Sequence, residues 1–215
     1  MQLGDEEKVK LFYGGTFAML RDALSECPSK GFLWAGHADY GYASYGNTLV
    51  FTVPGGSGVL YTPPKPEEIA DLLFQFSVAN GGLLELVVLN GCESYELGLK
   101  VLEKGIPYVV CWGTKTHDAA GRLFAKIFFQ HLASRKTPYV AFEQAVKKVA
   151  DEYVMEGQHP LPPKTGMSNA AKRNLWLHPG RPRDTPGVRL PRAGVPVLLT
   201  KAGKYTVDEL LKKSD

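Results

Sequence analysis

The sequence predicts an α/β protein with a mostly parallel sheet flanked by helices, on three grounds. Short apolar runs such as Leu86 to Leu89 have the length of buried strands. Amphipathic segments with helical spacing alternate with these runs, which is typical of parallel strands joined by helical crossovers. The chain has 215 residues, of which 44% are hydrophobic and 22% charged, so it can bury a sizeable core.

Local patterns divide the chain into elements. Thr16 is a suitable N-cap for the first helix, while Pro66 opens a later helix that ends at Asn80-Gly81-Gly82. Residues 40–46 are rich in glycine and tyrosine and predict a surface loop, and residues 48–61 predict a β-hairpin with a glycine-rich connection. The predicted strands span 9–13, 32–35, 86–90, 107–112 and 195–200, and the predicted helices span 16–25, 66–80, 93–104, 116–132 and 138–154.

The regular alternation stops near Gly157, and we expect three parts in the chain. Residues 1–156 form the α/β domain, and residues 157–194 form a proline-rich basic extension with seven prolines and seven basic residues against one acid. Residues 195–215 predict a strand and a short helix that pack on the domain or on a partner. Clustered basic residues can track phosphates, but the chain shows no recognised nucleic-acid fold. A solvated extension is the simpler interpretation, and we do not expect a nucleic-acid partner.

The composition excludes several other classes. No apolar run reaches the roughly 18 residues of a membrane span, and the N-terminus is acidic where a signal peptide would be basic. The three cysteines form no CxxC pair, and the histidines form no HxxxH or HExxH pattern. We therefore expect an intracellular, cytoplasmic protein without a membrane partner, a disulfide framework or a metal site.

One cysteine lies where a strand gives way to a helix. The run Leu86 to Leu89 stops at Asn90-Gly91 and is followed by Cys92, after which residues 93–104 have helical spacing. The positive end of a helix favours the thiolate, which is the reactive form of cysteine. Free cysteine is also among the most buried residue types, so a plain packing role for Cys92 stays open.

A histidine follows an earlier strand in the same manner. Phe32 to Ala35 predicts a buried strand that ends in Gly36-His37. Because reactive groups collect at the carboxyl ends of parallel strands, neighbouring strands would bring His37 and Cys92 together as a dyad. The other histidines fit less well, since they begin a helix, end a helix or lie in the extension; they are His117, His131, His159 and His178.

The residues around these two positions resemble the CHAT family of caspase-like cysteine peptidases, in clan CD. The resemblance rests on Trp34-Ala35-Gly36-His37 and on the later block from Val87 to Ser94. It continues through residues 105–112, 118–120, 128–129 and 141–145, and it covers about residues 15–150. The resemblance implies a caspase-hemoglobinase-like fold and hydrolysis of peptide bonds in a protein or peptide substrate, without a cofactor.

The resemblance also implies roles for particular residues. Cys92 would be the nucleophile, His37 would be the general acid and base, and backbone N–H groups near Ala38 and Cys92 would hold the oxyanion. Gly91, Asn90 and Trp112 would lie near the pocket. Asp118 matches a recurring family position, although a role as helix N-cap explains it equally well.

One departure from the family pattern supports an alternative function. The family usually has glycine directly after the histidine, and this chain has Ala38. Alanine tolerates a positive φ poorly, which would alter the geometry of the oxyanion site. The alternative is a catalytically inactive caspase-like scaffold or protein-interaction module. Many members of the family are parts of longer chains with domains that control them. Three interpretations are open for this sequence: a separate regulatory protein partner, a fragment of a longer protein, or absence of activity.

Overall fold

The computed structural model describes residues 10–12, 15–42, 46–51, 63–155 and 192–206. The helices are α1 Phe17–Glu26, α2 Pro66–Gln75, α3 Tyr95–Lys104, α4 Asp118–Ala133 and α5 Pro138–Glu152, with a short 3₁₀ helix at Val78–Asn80. The strands are β1 Gly31–Ala35, β2 Tyr40–Tyr42, β3 Gly46–Thr48, β4 Leu86–Asn90, β5 Tyr108–Trp112, β6 Val154–Met155, β7 Arg192–Ala193, β8 Pro196–Thr200 and β9 Gly203–Thr206.

Five strands form the main sheet, in the order β1-β4-β5-β8-β9. β1, β4 and β5 are parallel, β8 runs antiparallel to β5, and β9 runs antiparallel to β8. Four of the five strands therefore point the same way. The predicted α/β class and the mostly parallel sheet are confirmed, including the parallel crossover from β4 through α3 to β5.

Helices cover both faces of the sheet, because the central strands are apolar on both sides. Leu86, Val88 and Val110 face one cluster of buried side chains, to which α4 and α5 contribute. Val87 and Leu89 face the opposite cluster, which is completed by α1, α2 and α3. Alternate residues of a strand point to opposite faces, so the continuous apolar run in β4 reflects burial on both sides.

β1 departs from its predicted burial. Its residues alternate between exposed and half-buried, and the Leu33 side chain is 41% exposed. The reason is position, since β1 lies at the edge of the sheet. Only its Phe32 and Trp34 side chains pack on a buried cluster, the one that Phe17 and Leu20 of α1 also pack on. An apolar run of this length does not distinguish a central strand from an edge strand.

The region after β1 also differs from the prediction. Residues 40–42 form a strand where a loop was predicted, and this strand pairs antiparallel with residues 46–48. The first strand of the predicted hairpin at 48–61 is observed only at Thr48, where β3 ends, because residues 49–51 have no regular structure. Residues 52–61 lie outside the described residues. Residues 10–12 have no regular structure where a strand was predicted.

The C-terminal part enters the main sheet. The predicted strand at 195–200 is observed as β8 and lies beside β5, with Val197 and Leu198 fully buried. β9 was not predicted, nor was the short parallel pairing between β6 and β7 that joins the end of α5 to Ala193. The predicted helix at 207–213 and all but the last residues of the extension lie outside the described residues. Among the described helices, none is long and apolar enough to cross a membrane.

Candidate active site

His37 and Cys92 follow neighbouring strands in matching register. β1 pairs with β4, and the last paired residues are Ala35 and Asn90. The Gly36 N–H donates to the Asn90 carbonyl at 3.4 Å, which extends the pairing by one step. His37 and Cys92 therefore stand at equivalent positions, two residues beyond the same pair. The structure thus meets the condition under which these two strand ends bring His37 and Cys92 to one edge of the sheet.

Gly91 allows the two loops to approach closely. A β-carbon placed on Gly91 would lie 2.5 Å from the Gly36 carbonyl oxygen and 2.7 Å from the Ala38 β-carbon. It would also lie 3.2 Å from the Ala38 nitrogen. Atoms do not approach this closely without a shift, so only glycine fits here. The residue before the cysteine thus packs directly on the residues that flank the histidine.

The Cys92 sulfur is hydrogen-bonded to the main chain of Thr116. The Thr116 N–H donates to the sulfur at 3.3 Å, and the thiol donates to the Thr116 carbonyl oxygen at 3.7 Å. Thr116 belongs to the loop between β5 and α4, which opens at the same edge of the sheet. The half-buried thiol thus uses both its donor and its acceptor capacity on one residue.

The imidazole of His37 points into solvent. Its side chain is 85% exposed, and its Nδ1 atom lies 3.9 Å from the Asp39 carboxylate. Its backbone is better held, since the His37 carbonyl accepts a hydrogen bond from the Val50 N–H at 2.9 Å. Among the described residues, the sulfur of Cys92 has its hydrogen bonds with Thr116 and none with His37. The two loops are adjacent, but the two side chains are not hydrogen-bonded.

Asn90 and Trp112 connect the elements around the cysteine. The Trp112 indole N–H donates to Asn90 Oδ1 at 2.8 Å, and Asn90 Nδ2 donates to the Gly121 carbonyl at 3.1 Å. These bonds tie the ends of β4 and β5 to the first turns of α4. Trp112 is fully buried, so it does not line an open pocket. Its role at the site is to hold the Asn90 side chain in place.

The backbone groups suggested for the oxyanion differ in their surroundings. Neither the Ala38 N–H nor the Cys92 N–H donates a hydrogen bond to an acceptor within the described ranges. The N–H of Glu93, the residue after Cys92, donates to the Thr114 carbonyl at 3.1 Å. Ala38 is only 1% exposed, so a substrate would reach its N–H only after a local movement.

Asp118 does not cap α4. The N-cap position is occupied by His117, and Asp118 is the exposed first residue of the helix. An acid in the first turn interacts favourably with the helix dipole. The described contacts of Asp118 do not connect it with His37 or Cys92.

The turn that carries Cys92 has an unusual backbone. Glu93 has a φ of +52°, which is uncommon for a residue with a side chain, and Asn47 Nδ2 donates to its carbonyl and its carboxylate at 3.4 Å each. α3 begins at Tyr95, two residues later than predicted. Its N-cap Ser94 is buried, accepts from the Trp112 N–H and donates to the Leu89 carbonyl. Cys92 therefore lies before the N-cap residue of α3 and outside the helix.

Sequence patterns alone did not identify Thr116, Ser94 or Asn47. Thr116 follows β5 at the carboxyl edge of the sheet, so the rule that drew attention to His37 and Cys92 would also have included it. Ser94 and Asn47 had no comparable signal, because their partners are distant in the sequence.

The remaining thiols and one surface cavity lie away from Cys92. Cys111 is fully buried in β5, and Cys27 is the half-buried C-cap of α1. A cavity of about 360 Å³ lies at the amino ends of β1 and β4, lined by residues that include Leu24, Phe76 and Leu83. That is the opposite end of the sheet from Cys92. Within the described ranges, no group of three or more His, Cys, Asp or Glu side chains is arranged to hold a metal ion.

Comparisons with known proteins add no relative to this description. No protein-family model matches the sequence. A search of curated proteins likewise finds no significant match.

Proposed function

We propose that the protein is a cysteine endopeptidase of the CHAT or caspase-like type, with a caspase-hemoglobinase-like fold and a His37–Cys92 dyad. The observation that carries the proposal is the shared register of β1 and β4, which sets both residues two positions beyond the pair Ala35 and Asn90. Convergence of a histidine and a cysteine on one sheet edge is the arrangement that activates a thiol as a nucleophile.

In this mechanism the Cys92 proton passes to His37, and the sulfur forms a bond to the carbonyl carbon of the substrate. The C–N bond then breaks as His37 returns the proton to the leaving amine. Water hydrolyses the resulting thioester and restores the thiol. Backbone N–H groups near Cys92 and Ala38 stabilise the oxyanion, and no cofactor takes part.

Two side chains must move before this chemistry begins. The thiol has to leave the Thr116 carbonyl, and the exposed imidazole of His37 has to turn toward the sulfur. Exposed side chains change rotamer within nanoseconds, so the movement of His37 is easy. The position of the sulfur depends on the loop between β5 and α4.

The test compares cleavage of a peptide library by the wild type and by Cys92→Ala and His37→Ala. Each variant is expected to lose about a thousandfold or more of the activity, because the nucleophile or its base is removed. Cys27→Ala and His131→Ala are the matched controls, since both residues lie away from the site. Unchanged proteolysis in either site variant would contradict the mechanism.

A catalytically inactive scaffold is the second candidate, and a specific observation favours it. Ala38, which replaces the usual glycine of the family, is 1% exposed, and its methyl group packs on Gly91. An oxyanion site built from a buried N–H would not receive a substrate. Covalent labelling of Cys92, but not of Cys27, by an electrophilic peptide probe would exclude this candidate.

The proposal extends to the setting of the enzyme. Its substrate is a protein or peptide, a separate protein partner regulates it, and it acts in the cytoplasm. Reduced thiols at Cys27, Cys92 and Cys111 are compatible with that compartment. Co-purification from a cell extract on the Cys92→Ala variant, which would retain an uncleaved substrate, tests this part.

A further inference from the structure

We propose that the Cys92 thiol is held in an autoinhibitory contact by the main chain of Thr116, and that Gly194 and Val195 control this contact. The inference rests on the proposed function, because it assigns the regulation of the same dyad. It would make Thr116 a positioning residue that acts through the sulfur, with no direct part in the chemistry.

The basis is competition for a single proton. A thiol has one hydrogen, and here it is donated to the Thr116 carbonyl oxygen at 3.7 Å. A working dyad requires the same hydrogen to be donated to the His37 imidazole, which is 85% exposed and not bonded to the sulfur. The Thr116 N–H donates to the same sulfur at 3.3 Å, and this second contact does not compete for the thiol proton. The contact with the Thr116 carbonyl must therefore break before His37 can activate the nucleophile.

The loop that carries Thr116 is anchored to the C-terminal part of the chain. The Gly113 N–H donates to the Val195 carbonyl at 2.8 Å, and the Val195 N–H donates to the Thr114 hydroxyl at 3.0 Å. The Thr114 carbonyl accepts from the Glu93 N–H, one residue after the cysteine. The loop thus joins the turn of Cys92 to Val195.

Gly194 leaves no free space beside this loop. A β-carbon on Gly194 would collide with the Thr116 hydroxyl oxygen and lie 2.5 Å from the Lys115 carbonyl. The Thr116 hydroxyl is buried without a hydrogen-bond partner in the described part of the chain. Close packing of this kind passes a displacement of Gly194 directly to Thr116.

Gly194 also connects the Thr116 loop with the end of α5. It directly follows β7, which pairs with β6 at the end of α5. The β6–β7 pair has only two residue pairs, Val154 with Arg192 and Met155 with Ala193. So short a pairing is easily displaced compared with the main sheet. Rearrangement there would move Gly194 and then Thr116.

The first experiment displaces Thr116 and measures the reactivity of the thiol. Iodoacetamide forms a bond to sulfur with loss of iodide, and mass spectrometry measures the rate for each cysteine separately. Gly194→Ala is expected to raise the Cys92 rate about three- to tenfold, as for the loss of one net hydrogen bond. Cys27 serves as the internal reference, and Gly15→Ala is the matched control because no atom lies within 4 Å of its β-carbon position.

The dependence on His37 distinguishes competition from simple exposure. In the double variant Gly194→Ala with His37→Gln, the Cys92 rate should return to the wild-type value, because the freed thiol has no base. If the Cys92 rate stays raised in the double variant, the proposed competition between His37 and the Thr116 carbonyl for the thiol proton is overturned. No increase in a folded Gly194→Ala variant would overturn the autoinhibitory contact.

A second pair of variants covers the case in which Gly194→Ala fails to fold. Thr114→Val removes the hydroxyl that accepts from the Val195 N–H, whereas Thr114→Ser keeps it. Thr114→Val should raise the Cys92 rate in the same His37-dependent way, and Thr114→Ser should not. Equal rates of Cys92 alkylation in Thr114→Val and Thr114→Ser would contradict the proposal. All these rates are independent of peptide cleavage, so an absence of peptidase activity would be recognised separately.

Discussion

Gly91 and Ala38 are in direct contact, and this contact brings together the two loops that carry Cys92 and His37. The Ala38 β-carbon lies 2.7 Å from the position that a β-carbon on Gly91 would occupy. Both residues are buried, and each adjoins one member of the dyad. The distance between the two loops is therefore set by two small residues at adjacent strand ends.

Gly91→Ala is expected to destabilise the fold and to reduce any activity that depends on Cys92. Overpacking at a site without free space costs about 1–3 kcal/mol, and relief requires β1 and β4 to separate at their carboxyl ends. Chemical denaturation measures the cost, and Cys92 alkylation reports the local change. Gly15→Ala should be neutral or slightly stabilising, since its β-carbon meets no atom within 4 Å. Equal stabilities of the two variants would show that the loops can move apart freely.

Asn90→Ala is expected to lower stability by about 1–3 kcal/mol, because two buried partners lose their hydrogen bonds. These partners are the indole N–H of Trp112 and the carbonyl of Gly121. Thermal or urea unfolding measures the loss. Asn80→Ala provides the comparison, since Asn80 is exposed and bonds only locally to the Gln75 carbonyl. A loss no larger than that of Asn80→Ala would contradict the role of Asn90.

Stability is expected to fall in alkaline solution because of Cys111. Full burial raises the pKa of this thiol far above its ordinary value. Below the ordinary thiol pKa both folded and unfolded chains keep the proton, and above it only the unfolded chain releases it. The free energy of unfolding should thus decrease by about 1.4 kcal/mol per pH unit from this group once the pH exceeds about 8.5.

Unfolding of wild type and Cys111→Ala at several pH values from 7 to 10 checks this expectation. The variant is less stable at neutral pH, because a cavity replaces the sulfur. Its free energy of unfolding should nevertheless fall less steeply than that of the wild type as the pH rises. Iodoacetamide should modify Cys111 only on unfolding, in contrast with Cys92. Parallel slopes in the two proteins would show that Cys111 ionises in the folded state.

Glycine is expected to stabilise the two turns that have a positive φ at a non-glycine residue. Arg135 follows α4 with a φ of +58°, and Glu93 has a φ of +52°. The left-handed conformation costs about 1–2 kcal/mol for a residue with a side chain. Arg135→Gly should therefore raise the free energy of unfolding by about 1 kcal/mol.

Glu93→Gly should raise the free energy of unfolding less than Arg135→Gly, because it also removes the contact between the Glu93 carboxylate and Asn47. The two variants form a pair, one distant from Cys92 and one adjacent to it. Only Glu93→Gly should change the alkylation rate of Cys92. A change with Arg135→Gly would mean that general stability controls the thiol.

The sequence was a good guide where the signal is local. The apolar run of β4, its end at Asn90-Gly91 and the glycine after β1 were predicted from the sequence. That β1 pairs with β4 was only a condition of the predicted dyad, and the structure supplied it. The edge position of β1 and the strand at Tyr40–Tyr42 were missed. In both cases burial and pairing depend on distant residues, which short-range periodicity does not record.

Sequence by itself determined which residues stand at the strand ends, and so named His37 and Cys92 as a candidate pair. Only the tertiary structure decided the partners of their side chains: the thiol is bonded to Thr116, and the imidazole faces solvent. It also decided that the chain returns at Gly194 and Val195 to pack on the Thr116 loop. The physical reason is that strand ends follow from local hydrophobic pattern. Hydrogen-bond partners between distant segments are chosen by the packing of the whole chain.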